Sequence, residues 1–286
     1  MAKLTFSTTS GWDNVQGFGC ASLGLAGICD NSDICAVEYP FELNGTVMTG
    51  SYADILTQLN NFTENVYAAI VLFGNAGGEN RFIHDIQNAI SCPIVGGGAA
   101  IDPISGCSAL ISGRGEAALF LITDDRYTYE TKTKCIHNHI LETCHLELAD
   151  PRTLLKINGV DAAQYLSEKK QSLGIATTDF EHLTLSDFNN VNAHLSSVNG
   201  TIKSGRDLQE EMLLRYVAHE DVYTAIQEFY DDPYAIVFGC AGLSGLLDSP
   251  LQTTSLGLFL FGEVCTTDTS SEFGNLMLSK LRILEK

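Results

Sequence analysis

The chain has 286 residues, 35 acidic against 16 basic side chains and a formal charge of −19. That length suits two modest domains or one large one, and the acidity disfavours nucleic acid and anionic membrane as partners. Lys3 is the only basic residue among the first thirty, and glycines break the apolar run Phe18 to Ile28, so neither a signal peptide nor a transmembrane helix is expected and the protein is read as cytoplasmic.

In chain order, Ser51 and Asp54 form a capping-box pattern ahead of a helix with Ile55, Leu56 and Leu59 on one face. Tyr67 to Phe73 is an unbroken apolar run that suits a strand buried on both faces, ending in Gly74-Asn75-Ala76-Gly77-Gly78. Phe82, Ile86 and Ile90 mark an amphipathic helix from about Asn80 to Ile90. Pro93-Ile94-Val95 reads as a second strand stopped by Gly96-Gly97-Gly98, and Ser108 to Ser112 with Ala117 to Ile122 as a hairpin around Gly113-Arg114-Gly115-Glu116. The polar stretch from Asp125 to about Asp150 lacks helical periodicity, which places a boundary near its start and strands within it.

Further on, Asp161 to Leu173 reads as a helix with Asp161 as N-cap and Gly174 closing it. Asn199-Gly200 marks a hairpin within Leu195 to Ile202, and Asn44-Gly45 reads as a similar turn. Val222, Ile226, Phe229 and Tyr230 define one more helix. Nine cysteines without dense spacing point to reduced thiols, mostly small buried hydrophobes.

An internal similarity organises these elements. Ala69-Ile70-Val71-Leu72-Phe73-Gly74-Asn75-Ala76-Gly77 aligns with Ala235-Ile236-Val237-Phe238-Gly239-Cys240-Ala241-Gly242, with one gap at Leu72 and seven identities in eight positions. Val95-Gly96 then pairs with Phe261-Gly262, Gly97 with Glu263, and the strand at Leu110-Ile111 with that at Met277-Leu278. The expected fold is mixed α/β in two related lobes, residues 1–126 and 127–286, each a mixed sheet flanked by helices and sharing a strand-helix-strand repeat.

Ligands in open α/β sheets settle at strand carboxyl ends, where loops expose backbone N–H groups. The glycine clusters at 74–78, 96–98, 239–245 and 262 occupy such ends, although each glycine could simply turn the chain. Candidate ligand-binding residues are therefore Gly74, Asn75, Gly96, Gly97, Gly98, Gly239, Cys240, Gly262, Glu263 and Asn275. Glu263 follows an apolar run, so its charge needs a ligand, a salt bridge or an N-cap role; it could bind an amine or act as a general base. Cys240 stands where a nucleophile or a buried filler would. Cys135, His137 and His139 would share one strand face, with Cys144 and His145 behind, but their spacing matches no standard zinc pattern. His84, His182, His194 and His219 are isolated. Dinucleotide, Walker, serine-elbow and zincin motifs are absent.

Ala235 to Gly242, Leu258-Phe259-Leu260-Phe261-Gly262-Glu263 and Phe273-Gly274-Asn275 resemble the C-terminal FIST signature. Asn158 to Ala162 is similar to that family's helix entry, and Ile94 to Ala99 resembles the Val-Gly-Gly step of the N-terminal FIST domain. The likeness covers most of residues 65–286. Leu243 stands where the family has arginine, and Leu276-Met277 where it has Gln-Thr. The resemblance implies a sensory module for a small ligand such as an amino acid, with a protein signalling partner, no catalytic residues and no required cofactor, although some members hold haem. Because no output domain follows residue 286, a stand-alone sensor is expected. Two alternatives remain: a hydrolase or thiol enzyme using Cys240 and Glu263, and a haem or metal protein using Cys135, His137 or His139.

Overall fold

The computed structural model describes residues 4–9, 21–25, 34–37, 43–73, 77–98, 117–244, 246–247, 256–260, 262–267 and 270–286. Gly74, Asn75 and the first strand of the expected 108–122 hairpin lie outside them.

Strands β1 (Leu4–Thr9), β2 (Ala21–Leu25) and β3 (Ile34–Val37) form a small antiparallel sheet in the order β2-β1-β3. There follow β4 (Gly45–Gly50), α1 (Tyr52–Asn60), β5 (Ala68–Phe73), α2 (Glu79–Ala89), β6 (Ile94–Gly98), β7 (Ala117–Ile122) and β8 (Tyr127–Cys135). The middle of the chain holds β9 (His139–Asp150), β10 (Thr153–Ile157), β11 (Val160–Asp161), α3 (Ala162–Ser172), β12 (Leu183–Ser186), β13 (Asn192–Ala193), β14 (Leu195–Val198), β15 (Thr201–Ser204) and β16 (Glu211–Tyr216). The last stretch holds α4 (His219–Tyr230), β17 (Ala235–Cys240), α5 (Ala241–Ser244), β18 (Leu256–Leu260), β19 (Glu263–Thr266), β20 (Ser271–Gly274) and β21 (Met277–Glu285). The fold is mixed α/β, as the pattern of apolar runs predicts.

Two sheets pack face to face, one ordered β20-β19-β6-β5-β7-β4 and the other β18-β17-β21-β8. Residue alternation explains why. On β5, Ala68, Ile70 and Leu72 join Ile236 and Phe238 of β17 and Leu281 and Ile283 of β21 in the core between the sheets. The intervening Ala69, Val71 and Phe73 pack instead against Ile55 of α1 and Phe82 and Ile86 of α2. On β17, Ala235 and Val237 face Val222, Ile226 and Phe229 of α4. The result is four layers, helices outside and two sheets within, and it accounts for continuous apolar runs in place of alternating ones. Burial of apolar surface on both faces, at about 25 cal/mol per Å², is the main stabilising term.

The strand pairings around β5 and β17 have the same senses: β5 lies between parallel β6 and antiparallel β7, and β17 between parallel β18 and antiparallel β21. Strand membership crosses residue 126, because β19 and β20 extend the sheet of β4 to β7. A third, antiparallel sheet in the order β13-β12-β16-β9-β10-β15-β14, with β11 on β10, packs against α3 around Leu146, Leu154 and Leu166.

Local signals behave as their chemistry dictates. Ser51 accepts from the Asp54 backbone N–H at 3.1 Å, and the Asp54 carboxylate accepts in return from the Ser51 N–H, a complete capping box on α1. Asp161 caps α3 through the Gln164 N–H. Asn199 and Gly200, both at positive φ, turn β14 into β15. Asn44-Gly45 is not a turn: Gly45 starts β4, and a β-carbon there would lie 2.4 Å from the Leu121 carbonyl oxygen. Gly96 to Gly98 do not stop β6 but run within it, and a β-carbon on Gly96, at φ +126°, would lie 1.8 Å from the Val71 oxygen. Close backbone approach requires that glycine. Among the described residues, no helix is long and apolar enough to cross a membrane.

Candidate functional site

β19 carries the C-terminal part of the chain into the sheet of β5 and β6. Glu263 pairs with Gly97 of β6, and the Gly98 N–H donates to the Gly262 carbonyl at 2.9 Å. Gly262 turns into β19 at φ +84°, where a β-carbon would lie 2.7 Å from Asn275 Nδ2 and 2.3 Å from Phe273. Gly239 lies within β17, one residue before Cys240. Gly97, Gly98, Gly262, Glu263 and Asn275 therefore meet at one joint, while the backbone of Gly96 to Gly98 is engaged by β5 on one side.

The Glu263 side chain is fully buried. Its Oε2 accepts from the Met277 N–H at 3.3 Å, and its Oε1 has no hydrogen-bond partner among the described residues. Burial drives its pKa well above the ordinary carboxylate range, against the opposing pull of the Met277 N–H and the Cys240 thiol. Burial raises Cys240 in turn, as would a charge on Glu263, opposed by the backbone N–H groups of Leu276, Gly242 and Gly262. The pair is thus a neutral carboxyl beside a neutral thiol, and a protonated thiol is a poor nucleophile. Burial and the raised thiol pKa argue against Cys240 as a nucleophile. Asn275 Oδ1 is also buried without a partner. Leu276 sits at φ +53°, a region uncommon for leucine, and the turn it makes aims the Met277 N–H at Glu263.

Cys135, His137 and His139 do not share a strand face. Cys135 ends β8 and His139 starts β9, and His137 lies in the intervening loop. His137 is buried, with Nε2 2.7 Å from the Glu181 carbonyl oxygen and Nδ1 3.0 Å from Asn192 Nδ2. A carbonyl only accepts, so Nε2 carries the proton and Nδ1 accepts from Asn192. Burial lowers the His137 pKa to about 4, so the ring is neutral, with both nitrogens engaged. His139 stacks on Tyr216 at the surface.

Sequence reasoning missed a cleft of about 640 Å³ where the three large sheets meet. Thr133 and Cys135 of β8, Arg215 of β16, Cys265 and Thr266 of β19 and Met277 of β21 form its walls, with the β12–β13 turn at the rim. Met277, whose backbone N–H donates to Glu263 Oε2, is itself a cleft residue, so the buried carboxyl is bonded to the cleft wall. Asn192 ties the two together: its Nδ2 also donates to the Leu276 carbonyl at 3.3 Å, and its Oδ1 accepts from the Cys135 thiol at 3.5 Å. The one sequence signal for this cleft is Arg215 itself, a lone cation in the run Met212-Leu213-Leu214-Arg215-Tyr216.

No protein-family model and no curated protein matches the chain.

Proposed function

We propose that this protein is a small-ligand-binding sensory protein whose ligand occupies the cleft at the three-sheet junction. The observation that carries the reading is the position of that cleft. A molecule in it touches β8 and β21 of one sheet, β19 of a second and β16 of the third, so it acts on their relative placement. The FIST resemblance around Cys240, Glu263 and Asn275 points the same way, because Glu263 accepts from the N–H of Met277, a residue of the cleft wall. Under this reading the halves 1–126 and 127–286 are related lobes, the protein works in the cytoplasm, and the signal passes to a partner protein.

Thermal unfolding with a panel of amino acids, organic acids, nucleotides and haem tests the proposal. A ligand at 100 times its Kd adds about 2.7 kcal/mol of stability, which moves Tm by several degrees in a chain of this size. No shift from any member refutes it.

A further inference from the structure

Arg215 is about 93% buried, at 7% relative exposure, and its charge meets only neutral groups. One terminal nitrogen donates to the His137 carbonyl at 3.1 Å and the other to Asn190 Oδ1, while Nε is buried with no partner among the described residues. No ion pair joins it to a carboxylate among the described residues. The Thr266 hydroxyl is likewise buried and without a partner among the described residues, and both residues line the cleft. Among the described residues, Arg215 is the only charged one in the cleft wall; the other polar side chains there are asparagine amides, threonine hydroxyls and the thiols of Cys135 and Cys265. A buried cation without a counter-charge is expensive, and an unsatisfied buried donor costs about 1–3 kcal/mol. This stands out in a chain of net charge −19, whose unspecialised surface repels anions.

We infer that the cleft receives a small carboxylate, held by Arg215 Nε–H and the Thr266 hydroxyl as donors. A single positive charge with neutral donors around it matches a monoanionic group; a dianionic phosphate would bring a second negative charge that nothing in the wall neutralises. The rest of the ligand would lie against Val191, Met277 and the exposed Phe188 ring. The inference rests on the ligand-binding reading proposed above and adds the chemical class.

The test uses the intact wild-type chain labelled with ¹⁵N, with acetate, pyruvate, succinate, L-glutamate and inorganic phosphate as probes and uncharged and cationic amines as controls. The expected result is that at least one carboxylate shifts the Arg215 Nε–H resonance and slows its exchange with water. T266V, which keeps the backbone bond from the Thr266 N–H to Thr133 Oγ1 at 2.9 Å, should weaken that carboxylate roughly five- to tenfold. R215M should abolish binding, and T266V supplies the answer should R215M fail to fold. Phosphate moving Arg215 in preference to every carboxylate overturns the assigned class. Amines or neutral compounds perturbing cleft resonances while carboxylates do not overturns the inference and leaves the ligand-binding reading intact. Silence from every probe at every cleft resonance overturns both.

Discussion

Replacing Glu263 by glutamine, close in shape to the protonated acid, should change how stability depends on pH more than stability itself. The carboxyl is buried, its Oε1 unpaired among the described residues, and its pKa raised well above 4.5 by burial. A carboxyl with a folded pKa above its unfolded one stabilises the fold fully below about pH 4.5, and that contribution is lost as pH rises toward the folded value. In that window the unfolded chain is ionised while the folded one holds its proton. Wild-type stability therefore falls, relative to E263Q, by up to about 1.4 kcal/mol per pH unit within that window. Glutamine still accepts from the Met277 N–H, so the two proteins should lie within about 1 kcal/mol of each other near pH 4.5. Urea unfolding from pH 4.5 to 8 measures the difference directly, and shared terms such as the His137 titration cancel in it. A difference that stays flat across the range would refute the buried neutral carboxyl.

Gly96→Ala should destabilise the protein by about 3 kcal/mol or more in urea unfolding, because the new methyl meets the Val71 carbonyl at a backbone conformation that alanine rarely adopts; a loss under 1 kcal/mol would show that β6 can move. Cys240 and Cys265, both buried with raised pKa values, should resist iodoacetamide at pH 7.5 in the native protein and react at once in denaturant. Peptide mapping decides, and rapid native labelling of Cys240 would restore the thiol-enzyme reading.

Much of the four-layer core was legible because a strand buried on both faces has no polar positions. Tyr67 to Phe73 and Ala235 to Cys240 read as continuous apolar runs, and they are the central strands of the packed sheets. The cap at Ser51 and the turn at Asn199-Gly200 were legible for a different reason: their chemistry is complete within four residues. The glycines of β6 misled because a close approach by Val71, distant in sequence, holds them in a strand that their own propensity disfavours. The third sheet was hidden in part because β9 is polar and only Cys144 and Leu146 along it are buried. The cleft was the least legible of all. Its walls come from residues 133 to 277, and no local spacing announces that Arg215 and Thr266 face one space.

Asn192 is where cleft and buried carboxyl join, and its replacement tests whether they form one unit. Arg215 holds the His137 carbonyl, and the His137 ring accepts from Asn192. Asn192 also donates to Leu276, the residue whose turn presents the Met277 N–H to Glu263. Asn192→Ala removes one amide that serves two buried acceptors, His137 Nδ1 and the Leu276 carbonyl, and leaves the Cys135 thiol with only the His137 carbonyl as acceptor. With about 1–3 kcal/mol for each of the two buried acceptors left bare, the loss should be about 2–6 kcal/mol. His137 should also become more basic than its wild-type pKa of about 4, since Nδ1 no longer has a donor facing it. If instead stability falls by less than 1 kcal/mol and the His137 titration followed by NMR stays put, Asn192 is filler. Carboxylate capture at Arg215 would then have no bonded route to Glu263, and the two sites would have to be treated as independent.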